Sequence, residues 1–260
     1  MNSSLWAYDP NEAGVLADKT PVELEGVGVT EHLGSKLDLD IDFVDQNGVP
    51  VKLAQYFGSK PVIFSIVYYD CPSLCNLHLN GLTDALKQLK WTAGNQFDVV
   101  ALSMNPRETP ELAAAKMQSY IDSYGRPESA KGWHFLTGSE ENIKKIADQV
   151  GFSFKWIEGS QEYSHASAAQ VITASGTVSR YLHGIQFDPQ TVRLALLEAS
   201  EGKIGNIVDQ FVLYCFQFDP TKKKYTLYAY RIMQAGGVLI VLVLAILLIP
   251  YWIRERKQIA

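Results

Sequence analysis

Positive charge is in short supply in this sequence. Its 23 Lys and Arg are outnumbered by 28 Asp and Glu, which leaves a formal net charge of −5 and a pI near 5.6. A nucleic-acid-binding domain presents a basic patch or stripe, so this balance argues against nucleic acid as a partner. Cysteine is scarce as well. Three cysteines in 260 residues cannot make a disulfide framework, and a chain of this length can bury a core that needs no staples. Internal repeats and low-complexity tracts are lacking. The opening residues, "MNSSLWAYDPNEAG", have neither the charged n-region nor the apolar h-region of a signal peptide, so none is legible there. The remainder, 47% hydrophobic and 20% charged, is ordinary for a globular protein.

One stretch is not globular in character. From Ile232 to Ile253, "IMQAGGVLIVLVLAILLIPYWI", there is no Asp, Glu, Lys, Arg or His. As a helix rising about 1.5 Å per residue, this run reaches roughly 33 Å, enough for a bilayer core of about 30 Å. Tyr251 and Trp252 suit a membrane interface. The run predicts one C-terminal transmembrane helix at 232–253, contacting membrane lipid, with a basic tail at 254–260. Lys222, Lys223, Lys224 and Arg231 on one flank balance Arg254, Arg256 and Lys257 on the other, so the positive-inside rule does not orient it.

The rest of the chain reads as an N-terminal arm (1–35), one α/β domain (36–205) and an extended connecting segment (206–231). "LDLDIDFVD", from Leu37 to Asp45, alternates apolar and acidic residues and predicts a half-exposed strand, with a turn at Gln46-Asn47-Gly48 and a return through "VPVKLAQYFG". "PVIFSIVYY" and "FDVVALSM" are near-continuous apolar runs, the mark of strands covered on both faces. Between them Leu79, Leu82, Leu86 and Leu89 form one helical stripe. Thr109 and Pro110 open a second helix that stops at Gly125. "WHFLTG" follows as a short strand. Ser139 caps a third helix with Ile143, Ile146, Ala147 and Val150 on its apolar face. "AAQVITASGTVSRYL" predicts a hairpin around Ala174-Ser175-Gly176, and Asp188-Pro189 opens a last helix. The order is strand, helix, strand, helix, strand, helix, hairpin, helix. It predicts an α/β sandwich, a central mixed sheet with flanking helices, in which a cysteine motif between the first buried strand and its helix sits where thioredoxin-like folds keep their chemistry.

That motif is "DCPSLC", with Cys71 and Cys75 four positions apart. Cys71 ends a strand and begins a helix, where the partial positive charge of the helix N-terminus favours thiolate. Residues four apart on a helix hold their Cβ atoms about 5–6 Å from each other, whereas a disulfide wants about 3.8 Å. Because Cys71 lies outside the regular helix, a redox pair stays open. A metal ion spans the wider gap more easily, and two thiolates suit soft Cu(I). A third ligand would come from His32, His78, His134, His165 or His183. His165 is favoured, since "EYSHASAAQV" reads as a loop entering the hairpin, which in a thioredoxin-like fold packs beside the cysteines. Cys215, in "FVLYCFQF", reads as a buried strand cysteine. A peroxiredoxin would need threonine where Tyr68 stands. An idle pair of thiols in a structural subunit is a further reading.

"VYYDCPSLCNLHLNGL", "SMNPRETPELAAAKMQSYIDSYG" and "WHFLTGSEENIKKIADQVGF" together resemble the Sco/SenC family of thioredoxin-like copper proteins, over roughly Val44 to Ala199. The resemblance implies one copper ion, Cu(I) or Cu(II), held by Cys71, Cys75 and His165. It implies a role in delivering copper to, or maturing, the copper centre of cytochrome c oxidase, with the copper-accepting subunit of that enzyme as partner. It also implies a domain on the periplasmic or outer face of the inner membrane. The alternative is a thiol–disulfide oxidoreductase in which Cys71 attacks and Cys75 resolves. The chain departs from the family's habit at Asn76, often proline; at Ser164, often aspartate; inside the motif, often acidic; and in its C-terminal rather than N-terminal anchor.

Overall fold

The computed structural model describes residues 24–71 and 74–204, together with position 237. Two strands run parallel at the centre: β4 (Val62–Val67) and β5 (Asp98–Ser103), paired from Val62↔Asp98 to Val67↔Ser103. Every residue of both is buried, as their apolar runs predict. β6 (Trp133–Leu136) extends the sheet parallel to β5. On the other side β9 (Ala168–Ile172) lies antiparallel to β4, and β10 (Val178–His183) antiparallel to β9. The spatial order β10-β9-β4-β5-β6 makes a mixed sheet. This is a thioredoxin-like α/β fold.

Four helices connect and cover these strands. α1 (Leu74–Lys87) crosses from β4 to β5 and buries Leu79, Leu82 and Leu86. α2 (Pro110–Tyr124) crosses from β5 to β6; Thr109 accepts the Leu112 N–H, and Gly125 ends the helix at φ 71°, a left-handed stop. α3 (Glu140–Gln149) is capped by Ser139. α4 (Pro189–Ser200) is capped by Asp188 and buries Val192, Ala195, Leu196 and Ala199. α1 comes unusually close to the segment before α4. A Cβ at Gly81 would stand 1.9 Å from the Ile185 carbonyl oxygen, so only glycine fits there.

Three differences from the sequence reading matter. The alternating segment Leu37–Asp45 buries Leu37, Ile41 and Phe43 as its period demands, yet only Asp42–Val44 is strand (β2), paired with β3 (Pro50–Lys52). Asp38 breaks the run: its carboxylate accepts the Asp40 N–H and closes a local turn. Second, a hairpin precedes β9: β7 (Phe152–Ile157) and β8 (Glu162–His165), joined by a turn that holds Gln161 at φ 57°. Third, β1 (Gly28–Val29), within the stretch read as an arm, pairs with β7 and completes a second, three-stranded sheet. Among the described residues no helix is long and apolar enough to cross a membrane. The span expected at 232–253, apart from Gly237, lies outside them, as do the connecting segment and Cys215.

Candidate metal centre

Cys71 lies just past the C-terminal end of β4, the edge where open α/β sheets collect their ligands. The turn carrying it is held from the next strand. Glu108, buried in the β5–α2 connection, accepts the N–H groups of Tyr69 and Asp70, each at 2.8 Å, and the Ser103 hydroxyl. Tyr69 is pinned at its other end, with its hydroxyl 2.9 Å from the Ala101 carbonyl and 2.8 Å from that of Leu136. The backbone before the cysteine is therefore fixed against β5 and β6.

Cys71 and Cys75 are both buried. The Cys75 N–H donates to the Cys71 sulfur at 3.3 Å, which is the helix-terminus interaction expected to favour thiolate there. The Tyr68 hydroxyl also hydrogen-bonds Cys71; burial and that bond push the Tyr68 pKa up. Cys75 receives the Tyr68 N–H at 3.4 Å. Burial, reinforced by its hydrogen bond with Cys71, pushes the Cys75 thiol far above its ordinary range, so it keeps its proton until something replaces it.

His165 faces that proton. Its Nε2 lies 3.1 Å from Cys75 Sγ. Its Nδ1 lies 2.7 Å from the Ala166 carbonyl, which can only accept, so Nδ1 carries the hydrogen and Nε2 presents its lone pair to the sulfur. Metal-binding histidines are held in this way, by a carbonyl on the nitrogen away from the metal. His165 ends β8 rather than sitting in a loop, in register with Phe154 on β7. Tyr68, near-perpendicular, and Phe152, tilted by 34°, flank its ring at 6.0 and 6.3 Å between centroids. The ligand atoms of Cys71, Cys75 and His165 all lie within 4.8 Å of one another. Bonds of about 2.0–2.3 Å to imidazole and thiolate put the ligands of a three-coordinate ion roughly 3.5–4 Å apart, so small side-chain shifts suffice to close on one.

The other histidines are placed elsewhere. His78 is buried on α1 between Ser65, 3.2 Å from Nε2, and Ser167, 2.9 Å from Nδ1. His134 packs at a tilt against Tyr56, His183 pairs with Glu31, and His32 meets the Gln149 carbonyl. A cavity of about 390 Å³ opens between α3 and the β7–β8 hairpin, but its walls include none of the three converging residues. Glu108 and Lys116 are the site residues that pattern reading does not reach. Each meets the cysteine turn across roughly forty residues of sequence, a distance over which no spacing rule operates.

A family model described as SCO1/SenC matches residues 30–199, well over half of the chain. The chain belongs to the SCO1/SenC family. Among solved structures, a protein of Aquifex aeolicus VF5 is 26% identical with a TM-score of 0.57, over 66% of this chain and 95% of that one. ScoI of Arabidopsis thaliana, solved with copper bound, is 18% identical with a TM-score of 0.52, over 65% and 98%. BsSco is described as a member of the Sco family of cytochrome c oxidase assembly proteins, in which a disulfide switch was identified; it is 21% identical with a TM-score of 0.52, over 66% and 97%. The last two likenesses concern the fold. No match is found among curated proteins.

Proposed function

We propose that this protein binds copper through Cys71, Cys75 and His165 and hands it to the copper-accepting subunit of cytochrome c oxidase, or matures the copper centre there. The observation that carries the reading is the orientation of His165: its Nδ1 is committed to a carbonyl, and its Nε2 lone pair points at a buried sulfur. A dithiol that served redox chemistry alone would not need that histidine. Two thiolates and an imidazole form a donor set suited to Cu(I). Copper is cargo: it displaces the Cys75 proton on arrival, as metal binding to a protonated ligand must. It leaves by exchange onto thiolates and imidazoles of the acceptor. Membrane attachment through 232–253 would hold the domain at the periplasmic or outer face, where terminal oxidases receive their copper.

The second reading, a thiol–disulfide oxidoreductase, is favoured by the Cys75 N–H on Cys71 Sγ, which supports a nucleophilic thiolate. One variant separates the two. His165→Ala should weaken Cu(I) binding by about a hundredfold, the upper part of the range for disturbing a metal site, while reduction of a disulfide substrate stays within about twofold. Titration with a chromogenic Cu(I) chelator measures the first, and a coupled thiol assay the second. Unchanged copper affinity in that variant defeats the copper reading. Lost disulfide reduction with copper affinity retained favours the oxidoreductase.

A further inference from the structure

Two hydrogen bonds tie Cys71 to the first described turn of α1. The Cys75 N–H donates to the Cys71 sulfur at 3.3 Å. Asn76 Nδ2 donates to the Cys71 carbonyl at 2.7 Å. Asn76 is in turn held from α2, where Lys116 Nζ donates to Asn76 Oδ1 at 2.6 Å. An ammonium is a donor only, so Lys116 dictates which end of the amide is oxygen and turns the NH₂ end to Cys71. Both residues are half-buried, where such a bond is less screened than at the open surface. A proline at this position would have no donor to offer.

We infer that Asn76 and Lys116 form a positioning clamp. By bonding the Cys71 carbonyl from α1 and being held in turn from α2, it fixes the backbone that carries Cys71 and holds the two sulfurs converging on His165. Neither residue touches the bound ion. The inference rests on the copper reading above, but its test has an arm that does not use metal.

The full chain is compared with Asn76→Ala, Lys116→Met, Lys116→Arg and the Asn76→Ala/Lys116→Met double variant. Cu(I) affinity is measured by competition with bicinchoninate. The metal-free Cys71–Cys75 thiol–disulfide equilibrium is measured against reduced and oxidised glutathione. The single variants Asn76→Ala and Lys116→Met should each lose about tenfold in Cu(I) affinity, as outer-shell changes do. Their metal-free thiol–disulfide equilibrium should shift several-fold, with Tm within a few degrees of wild type. Lys116→Arg, which keeps a cationic donor, should recover most of the affinity. The double variant should be no weaker than Asn76→Ala alone, since the two residues act in series. The clamp is overturned if Asn76→Ala leaves both affinity and thiol equilibrium unmoved, if Lys116→Arg is as weak as Lys116→Met, if the two losses multiply, or if affinity falls only in step with Tm. Failure of the wild-type protein to bind Cu(I) defeats the copper reading instead, and the glutathione arm then still decides the clamp.

Discussion

His78 and His165 are a pair of histidines with opposite assignments. Each has a hydrogen-bond acceptor at Nδ1, but His78 also has Ser65 at Nε2 and the Phe187 ring against its edge, so neither nitrogen is left for a metal. His165 keeps one nitrogen for Cys75. Burial drives the His78 pKa down to about 4, with some help from His165 opposite, so the ring is neutral in the folded protein. An unfolded histidine titrates near 6.5. Between those values the unfolded chain binds the extra proton, so stability is complete above about pH 6.5 and falls as pH drops toward 4. The slope is about 1.4 kcal/mol per pH unit, for a total on the order of 3 kcal/mol. Urea unfolding of wild type and His78→Gln across this window checks it: the variant, less stable at neutral pH, should show the shallower dependence. Equal slopes would mean that other groups govern acid lability.

The connection from β5 to α2 shows how an element boundary can build a site. Thr109 serves the helix, its hydroxyl oxygen accepting the Leu112 N–H, while the adjacent Glu108 serves the cysteine turn. Thr109→Ala should cost about 1 kcal/mol, the ordinary value of a cap, with copper affinity unchanged. Glu108→Ala strands the Tyr69 and Asp70 N–H groups and should cost about 2–6 kcal/mol, at 1–3 per unsatisfied donor, and weaken copper binding as well. Chemical denaturation and chelator competition on the two variants measure both effects; equal behaviour would break the division of labour. The cap was legible in the sequence because Thr-Pro before a periodic run is a local signal. Glu108 was not, because its partners lie 38 and 39 residues earlier. The same contrast runs through the fold. β4 and β5 are buried along their whole length and read as unbroken apolar runs. β7 and β8 are mostly half-buried, and a four-residue turn without a strong hairpin signature joins them. Sequence therefore placed His165 beside the cysteines by its rank in the fold but read a strand end as a loop.

For the whole molecule the question is which parts are needed for which task. Among the described residues, every buried apolar residue of the core falls between Leu37 and Ala199, and so do Cys71, Cys75, His165 and the residues that hold them. A single continuous core of this kind can fold without a membrane, and the candidate metal site draws on nothing beyond it among the described residues. Attachment, in contrast, rests on the apolar run at 232–253 alone. The two halves of the reading thus separate cleanly in a deletion. A fragment spanning residues 24–204 should unfold in one cooperative transition and bind Cu(I) within about twofold of the full chain, one equivalent per molecule. It should stay in the supernatant when phosphatidylcholine vesicles are pelleted, whereas the full chain, reconstituted from detergent, should sediment with them. Full-length protein that remains free of the vesicles would remove the anchor and leave the copper site standing. A fragment that folds but binds copper more than tenfold more weakly would place a ligand or a supporting residue outside 24–204, and Cys215 would be the first position to replace.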